Sequence, residues 1–154
     1  PYPNIFNDYE VDFSVHQTPF NTHDGLYVTS LIYIFIGGGL GALLRYALSV
    51  SLNDKVFIIY LQSIPMGTLI ANLLGCFILG LLAGSLPLHS SLKVGLTTGF
   101  MGGLTTFSTF SLESARLISN GQVNKAIFHI LLHTGGGIVL AIVGLSLGLN
   151  YGKK

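Results

Sequence analysis

Beyond residue 27 the chain alternates between long apolar runs and short polar joints. Crossing a bilayer as a helix takes roughly 20 mainly apolar residues. Four runs meet that length: about 28–51 (VTSLIYIFIGGGLGALLRYALSVS), about 66–86, about 92–118 and about 123–149. The second is entered through Pro65, a residue suited to a helix start. The third is rich in glycine, threonine and serine. The joints Leu52–Pro65, Pro87–Ser91 and Ser119–Gln122 are short enough that neighbouring helices must run antiparallel. Backbone polar groups in lipid need internal partners, so the pattern predicts an all-α membrane protein with four transmembrane helices.

The first 27 residues are different. They hold Asp8, Glu10, Asp12 and Asp24 and no lysine or arginine. Tyr9, Val11, Phe13 and Val15 alternate with polar residues, which suits a short strand or an interfacial stretch. A lone strand has nothing to pair with, so disorder suits the segment equally. The acidic start lacks the positive region of a signal peptide, and none is expected. The predicted division is a polar extension over 1–27, a four-helix membrane domain over 28–151 and a basic tail over 152–154.

Composition narrows the function classes. Of 154 residues, half are hydrophobic, the mean hydropathy is +0.67 and only 8% are charged. A soluble domain carries about 25% charged residues, so a soluble enzyme is excluded. A net charge of +1 leaves no electrostatic basis for nucleic-acid binding. The single cysteine, Cys76, rules out an internal disulfide and a multi-cysteine metal site. Twenty glycines without a triplet period suit closely packed membrane helices.

Charge at the span ends normally sets orientation. With four spans, one side carries Lys93, Lys153 and Lys154. The other carries Lys55, Arg116 and Lys125, joined by Arg45 if its side chain snorkels outward. So flat a bias fits a chain that inserts both ways and pairs as an antiparallel dimer. It equally fits one lysine deciding the orientation.

Polar groups at membrane depth are costly and therefore candidates for function. Asn72 stands about 9 Å into the second span. It could ligate an anion in a pore or tie two helices together. The third span contains Gly95, Gly99, Gly102 and Gly103, then Thr105-Thr106-Phe107-Ser108-Thr109-Phe110-Ser111. As one helix it would be about 40 Å long, beyond the roughly 30 Å hydrocarbon core. A break near Gly102–Thr105 relieves that excess and frees carbonyls suited to a cation. Close helix packing through Gly95, Gly99 and Gly103 is the other reading. Phe107 and Phe110 share a helix face, with Ser108, Thr109 and Ser111 around them. Positive ring edges and hydroxyl donors could line a path for a small anion. Ordinary packing aromatics also fit. Glu113 and Arg116 permit an i,i+3 ion pair, structural or orienting a polar track. Arg45 either snorkels or holds a neighbouring carbonyl end. His129 and His133 are spaced to bind metal, but no carboxylate or cysteine lies near in sequence, and structural histidines fit better.

These motifs together resemble the Fluc (CrcB) family of fluoride channels. The residues that carry the resemblance are Gly38-Gly39-Leu-Gly41-Ala-Leu-Leu-Arg45-Tyr46, Gly67-Thr68-Leu-Ile-Ala-Asn72-Leu-Leu-Gly75, and Gly99-Phe-Met-Gly102-Gly103-Leu-Thr105-Thr106-Phe107-Ser108-Thr109-Phe110-Ser111-x-Glu113. The match covers roughly residues 30–150 and leaves the first 27 without a counterpart. The resemblance implies a multi-pass plasma-membrane protein and an antiparallel, dual-topology homodimer. It implies two pores at the dimer interface and passive export of cytoplasmic fluoride. By the same resemblance Asn72 is the pore amide, and Phe107 and Phe110 turn ring edges to fluoride. Ser108, Thr109, Ser111 and Glu113 contribute to the polar side, and Arg45 lies near the vestibule. The carbonyls of Gly102 and Thr105 are implied to hold a central structural sodium ion. Two other readings fit parts of the pattern. A small proton-coupled exporter would need a carboxylate early in the chain, and the first two spans have none. A non-conducting subunit would require a partner chain.

Overall fold

The computed structural model describes residues 25–53, 64–85 and 91–152. Expectations for the polar extension, apart from its last three residues, lie outside the described residues, as do those for Lys55 and the last two lysines. Helix α1 covers Gly25–Asn53 and α2 covers Met66–Ser85. Short α3 (Ser91–Val94) passes into a π-helical stretch, Gly95–Met101, and then into α4 (Gly102–Leu104). After two extended residues comes α5 (Phe107–Ser119). Helix α6 (Val123–Leu131) leads through π-helical Leu132–Gly136 into α7 (Gly137–Gly152).

Three uninterrupted runs are long and apolar enough to cross a membrane: Tyr27–Leu52, Met66–Ser85 and Val123–Tyr151. The third expected span is different in kind. Its helical run stops at Leu104, and Thr105 (φ −86°, ψ 152°) and Thr106 (φ −150°, ψ 115°) are extended. The glycine pair ahead of it stays helical, with Gly102 at φ −62° and ψ −37°.

Glycines do a packing job. A Cβ on Gly41 would overlap the Phe100 carbonyl oxygen, and one on Gly103 the Gly38 carbonyl oxygen. Gly37 and Gly99 likewise face backbone, of Gly95 and Phe100 and of Ile34 respectively. Thus α1 and the run from Gly95 to Leu104 touch backbone to backbone. The other seam is the most extensive interface, between α2 and α7. There Gly80 meets Ala141, Gly84 meets Leu145, and Gly144 meets Phe77. Small residues four apart permit such approach, and in lipid van der Waals contact is the main force between helices.

Between α5 and α6 the chain reverses in three residues. Gly121 adopts φ +72°, a left-handed backbone open to glycine. The Gly121 amide donates to the Ile118 carbonyl (2.9 Å) and the Gln122 amide to the Leu117 carbonyl (2.9 Å), which closes the helix end. This turn lays α6 back against α5.

Candidate functional site

The extended pair at Thr105–Thr106 organises the site. The Thr106 amide donates to Asn72 Oδ1 (2.8 Å), and Asn72 Nδ2 donates to the Thr106 carbonyl (3.2 Å). A single side-chain amide on α2 thus pairs with both backbone groups of Thr106. The second Asn72 N–H is used by neither of these bonds. Thr106 is also the N-cap of α5: its hydroxyl oxygen accepts from the Thr109 amide (3.2 Å). That hydroxyl then donates to Thr109 Oγ1 (3.0 Å) and lies 3.2 Å from Ser108 Oγ.

These bonds change the neighbouring carbonyls. In a continuous helix the Thr106 amide would serve the Gly102 carbonyl, and the Thr109 amide the Thr105 carbonyl. Both amides are used elsewhere, one by Asn72 and one by the Thr106 cap. The Gly102 and Thr105 carbonyls therefore lose their helical donors. Bare carbonyl oxygens are hard ligands, so these residues fit an alkali cation. Arg45 reaches the same place: its Nε donates to the Gly103 carbonyl (3.1 Å). Of the two readings for Arg45, the side chain that holds a carbonyl end is the one observed. Thr105 keeps its own amide and hydroxyl on the Met101 carbonyl (2.9 Å each), and its methyl fills the space beside Gly75.

Beyond the break, the two phenylalanines run from the outside inward. Phe107 is 79% exposed and Phe110 is 8% exposed, with ring centroids 5.7 Å apart and planes tilted by 55°. Ser108 is exposed, and Ser111 donates to the Phe107 carbonyl (2.8 Å). The inner ring packs on two histidines: its centroid lies 4.5 Å from His133 and 5.4 Å from His129.

Glu113 sits one turn deeper. Thr68 donates its hydroxyl to Glu113 Oε1 at 2.6 Å, while Oε2 faces His129 Nε2 at 3.6 Å. Its expected partner, Arg116, is exposed and forms no ion pair with it among the described residues. The carboxylate turns inward to α2 and α6. His129 is fully buried, and its Nδ1 lies 3.1 Å from Ser114 Oγ.

All the expected site residues except Arg45, Gly102 and Thr105 therefore gather on the first two turns of α5 and the facing side of α2. Thr68, Thr106, Ser114, His129 and His133 belong to the same cluster and were not singled out as site residues. Signals existed for some of them. Thr68 precedes Asn72 by one turn, and Ser114 follows Phe110 by one turn, so each shares a face with a chosen residue. The histidines lacked only the knowledge that α6 folds back on α5.

The chain matches the family described as "CrcB-like protein, Camphor Resistance (CrcB)" over residues 32–145. A Staphylococcus aureus protein (strain bovine RF122 / ET3-1) named Fluoride-specific ion channel FluC 1 is 45% identical over 121 residues, covering 76% of this chain and 94% of that protein. Fluoride-specific ion channel FluC of Serratia proteamaculans (strain 568) is 42% identical over 124 residues, covering 78% and 94%. A Yersinia pseudotuberculosis relative, Fluoride-specific ion channel FluC 1, is 39% identical over 132 residues, covering 81% and 98%.

Proposed function

The chain belongs to the CrcB-like family, and on that premise we propose that it is a passive, fluoride-specific channel exporting cytoplasmic fluoride. It is a multi-pass protein of the plasma membrane and not an enzyme. The observation that carries the reading is the graded pair of rings, Phe107 outside and Phe110 inside, set directly after the Thr106 cap.

Fluoride is small and strongly hydrated. A pore must offer substitutes for water without holding the ion too tightly. Ring edges, hydroxyls and the uncommitted Asn72 N–H are moderate ligands of that kind. Phe107 and Ser108 lie on the outer face, so one chain supplies only one wall. The other wall is assigned to a second copy in an antiparallel, dual-topology homodimer. Two pores then follow from the two-fold axis, each at the dimer interface. Asn72, Phe107, Phe110, Ser108, Thr109, Ser111 and Glu113 line each path, with Arg45 holding the end of α4.

The helix break is assigned to mid-membrane. There the Gly102 and Thr105 carbonyls of both copies would hold a structural sodium ion. Such an ion would supply positive charge at the centre and tie the two breaks together. Gly102 is exposed in the single chain, and a Cβ there would meet nothing within 4 Å, which leaves this face of α4 room for a partner.

Fluoride efflux from liposomes bearing this chain alone tests the proposal, read with a fluoride electrode beside a chloride control. Rapid fluoride release with no chloride release supports it. Absence of release from a verified dimer overturns it and favours a subunit that needs a partner.

A further inference from the structure

The cluster behind Phe110 holds an unexplained set of lone pairs. Among the described residues, three buried side-chain polar atoms have no hydrogen-bond partner: Glu113 Oε2, His129 Nε2 and His133 Nε2. Proton bookkeeping fixes what each atom is. Ser114 has one hydroxyl hydrogen and gives it to the Phe110 carbonyl (2.8 Å). Its oxygen can then only accept from His129 Nδ1, 3.1 Å away, so Nδ1 carries a hydrogen. His133 Nδ1 lies 3.1 Å from the His129 carbonyl, which cannot donate, so that nitrogen too carries a hydrogen. In the neutral rings both Nε2 atoms are therefore bare acceptors. Thr68 has spent its hydrogen on Glu113 Oε1.

The result is two acceptors, Glu113 Oε2 and His129 Nε2, facing each other at 3.6 Å with no donor between them. Leaving such groups buried and unpaired is costly. One added proton removes the conflict: on His129 it makes a charge-assisted bond to the carboxylate, and on Glu113 a neutral carboxyl donates to the bare nitrogen. Two neighbours bear on the pair: the charge of Arg116 acts on Glu113, and the His133 ring lies 4.3 Å from that of His129. Helix α2 carries no charged residue, and its titratable group is Cys76. On α5, Arg116 is exposed. On the α6 side, His133 has no carboxylate opposite it among the described residues.

The geometry points to a proton-binding site shared by Glu113 Oε2 and His129 Nε2, whose occupancy sets the charge beside the inner end of the Phe107–Phe110 track. His129 thereby acts as a positioning residue for Glu113. Without the proton the pair carries one negative charge; with it the pair is neutral. That charge sits on Glu113, one turn beyond Phe110 on the same face of α5, close enough to oppose an entering anion. Acid therefore raises anion flux, and the effect is large at such separations inside protein. This inference rests on the fluoride reading only for its effect on flux.

Two measurements on the full chain in liposomes test it. The first is fluoride efflux with equal pH on both sides, from 6.0 to 8.0, corrected with protein-free vesicles for hydrogen fluoride crossing lipid. Equal pH removes any driving proton gradient. The wild type is expected to release fluoride at least about fivefold faster at the acid end. His129→Gln, which cannot titrate, is expected to flatten the profile. A flat wild-type profile, or an unchanged slope in a folded His129→Gln dimer, overturns the proposal. The second measurement needs no flux. Isotope-edited infrared and 15N-histidine spectra should show, on acidification, a protonated Glu113 carboxyl or an imidazolium at His129, and the signal should vanish in His129→Gln. If neither form arises between pH 5 and 8, the shared site is refuted. No fluoride release at any pH would defeat the channel reading alone, with the spectra still deciding the proton site.

Discussion

Asn72 does two things that a depth argument treats as alternatives. It ties α2 to the break through both backbone groups of Thr106, and it retains an N–H that these bonds do not use, which the proposed pore assigns to the anion. Replacing it with alanine orphans a half-buried amide and carbonyl. Each lost partner costs about 1–3 kcal/mol, so Asn72→Ala is expected to lower the thermal midpoint in detergent markedly. Asn72→Asp keeps the acceptor for the Thr106 amide but sets a second acceptor oxygen against the Thr106 carbonyl, so it too should lower the midpoint and reduce fluoride efflux. An equal midpoint for Asn72→Ala and wild type would show that the paired bonds do not hold the break. Phe110→Ile preserves apolar volume next to the histidines but removes the ring edge. Flux is expected to fall by about tenfold or more, roughly 1.4 kcal/mol of barrier, with the dimer intact by size-exclusion chromatography. Residue types at membrane depth were legible in the sequence as candidates. Their partners were not, because Glu113 to His129 and Asn72 to Thr106 are contacts between helices far apart along the chain.

At the scale of the element, hydropathy located the runs to within a few residues. Run α1 covers Gly25–Asn53 against an expected 28–51, and α2 covers Met66–Ser85 against 66–86. The third run was harder. The expected break spanned Gly102–Thr105, yet its two glycines stay helical, with the Gly38 backbone packed against Gly103. The chain leaves the helix at the threonines, where a cap and a side-chain amide stand ready to take the freed groups. The two π-helical stretches, Gly95–Met101 and Leu132–Gly136, leave no mark in periodicity at all. Two neighbouring glycines of α1 test the packing role. Nothing in the chain lies within 4 Å of a Cβ on Gly39, whereas one on Gly41 overlaps the Phe100 carbonyl. Gly41→Ala is expected to destabilise by about 3 kcal/mol, the upper range for overpacking, as read from the thermal midpoint. Gly39→Ala should leave the midpoint of the isolated monomer unchanged. Equal effects would mean that the seam relaxes easily.

Much of the molecule's surface is apolar. Phe35, Leu43, Tyr46, Phe107 and Tyr151 are among the large side chains left exposed. In a plasma-membrane protein this surface meets lipid or another copy, and the proposed homodimer assigns the face with Phe107 and Gly102 to the copy. If the bare carbonyls of both breaks share sodium, replacing sodium by a large organic cation during purification and reconstitution should abolish most fluoride efflux. Sodium returned to the buffer should restore it. Undiminished efflux without sodium would remove the ion from the scheme. The near balance of charge between the two sides was visible in the sequence, but the balance itself is only a permissive condition for antiparallel pairing.

The α2–α7 seam has a consequence for biosynthesis. The broadest interface joins the second helix to the final one, elements made more than fifty residues apart. While the ribosome is still producing the intervening segment, the Gly80 and Gly84 face of α2 has no mate. A nascent chain halted before Gly137 therefore carries an open groove into the bilayer, a target for membrane chaperones and proteases. Completion of the fold is timed by the last helix to emerge, and damage there should shorten the lifetime of the chain before it alters any property of the pore.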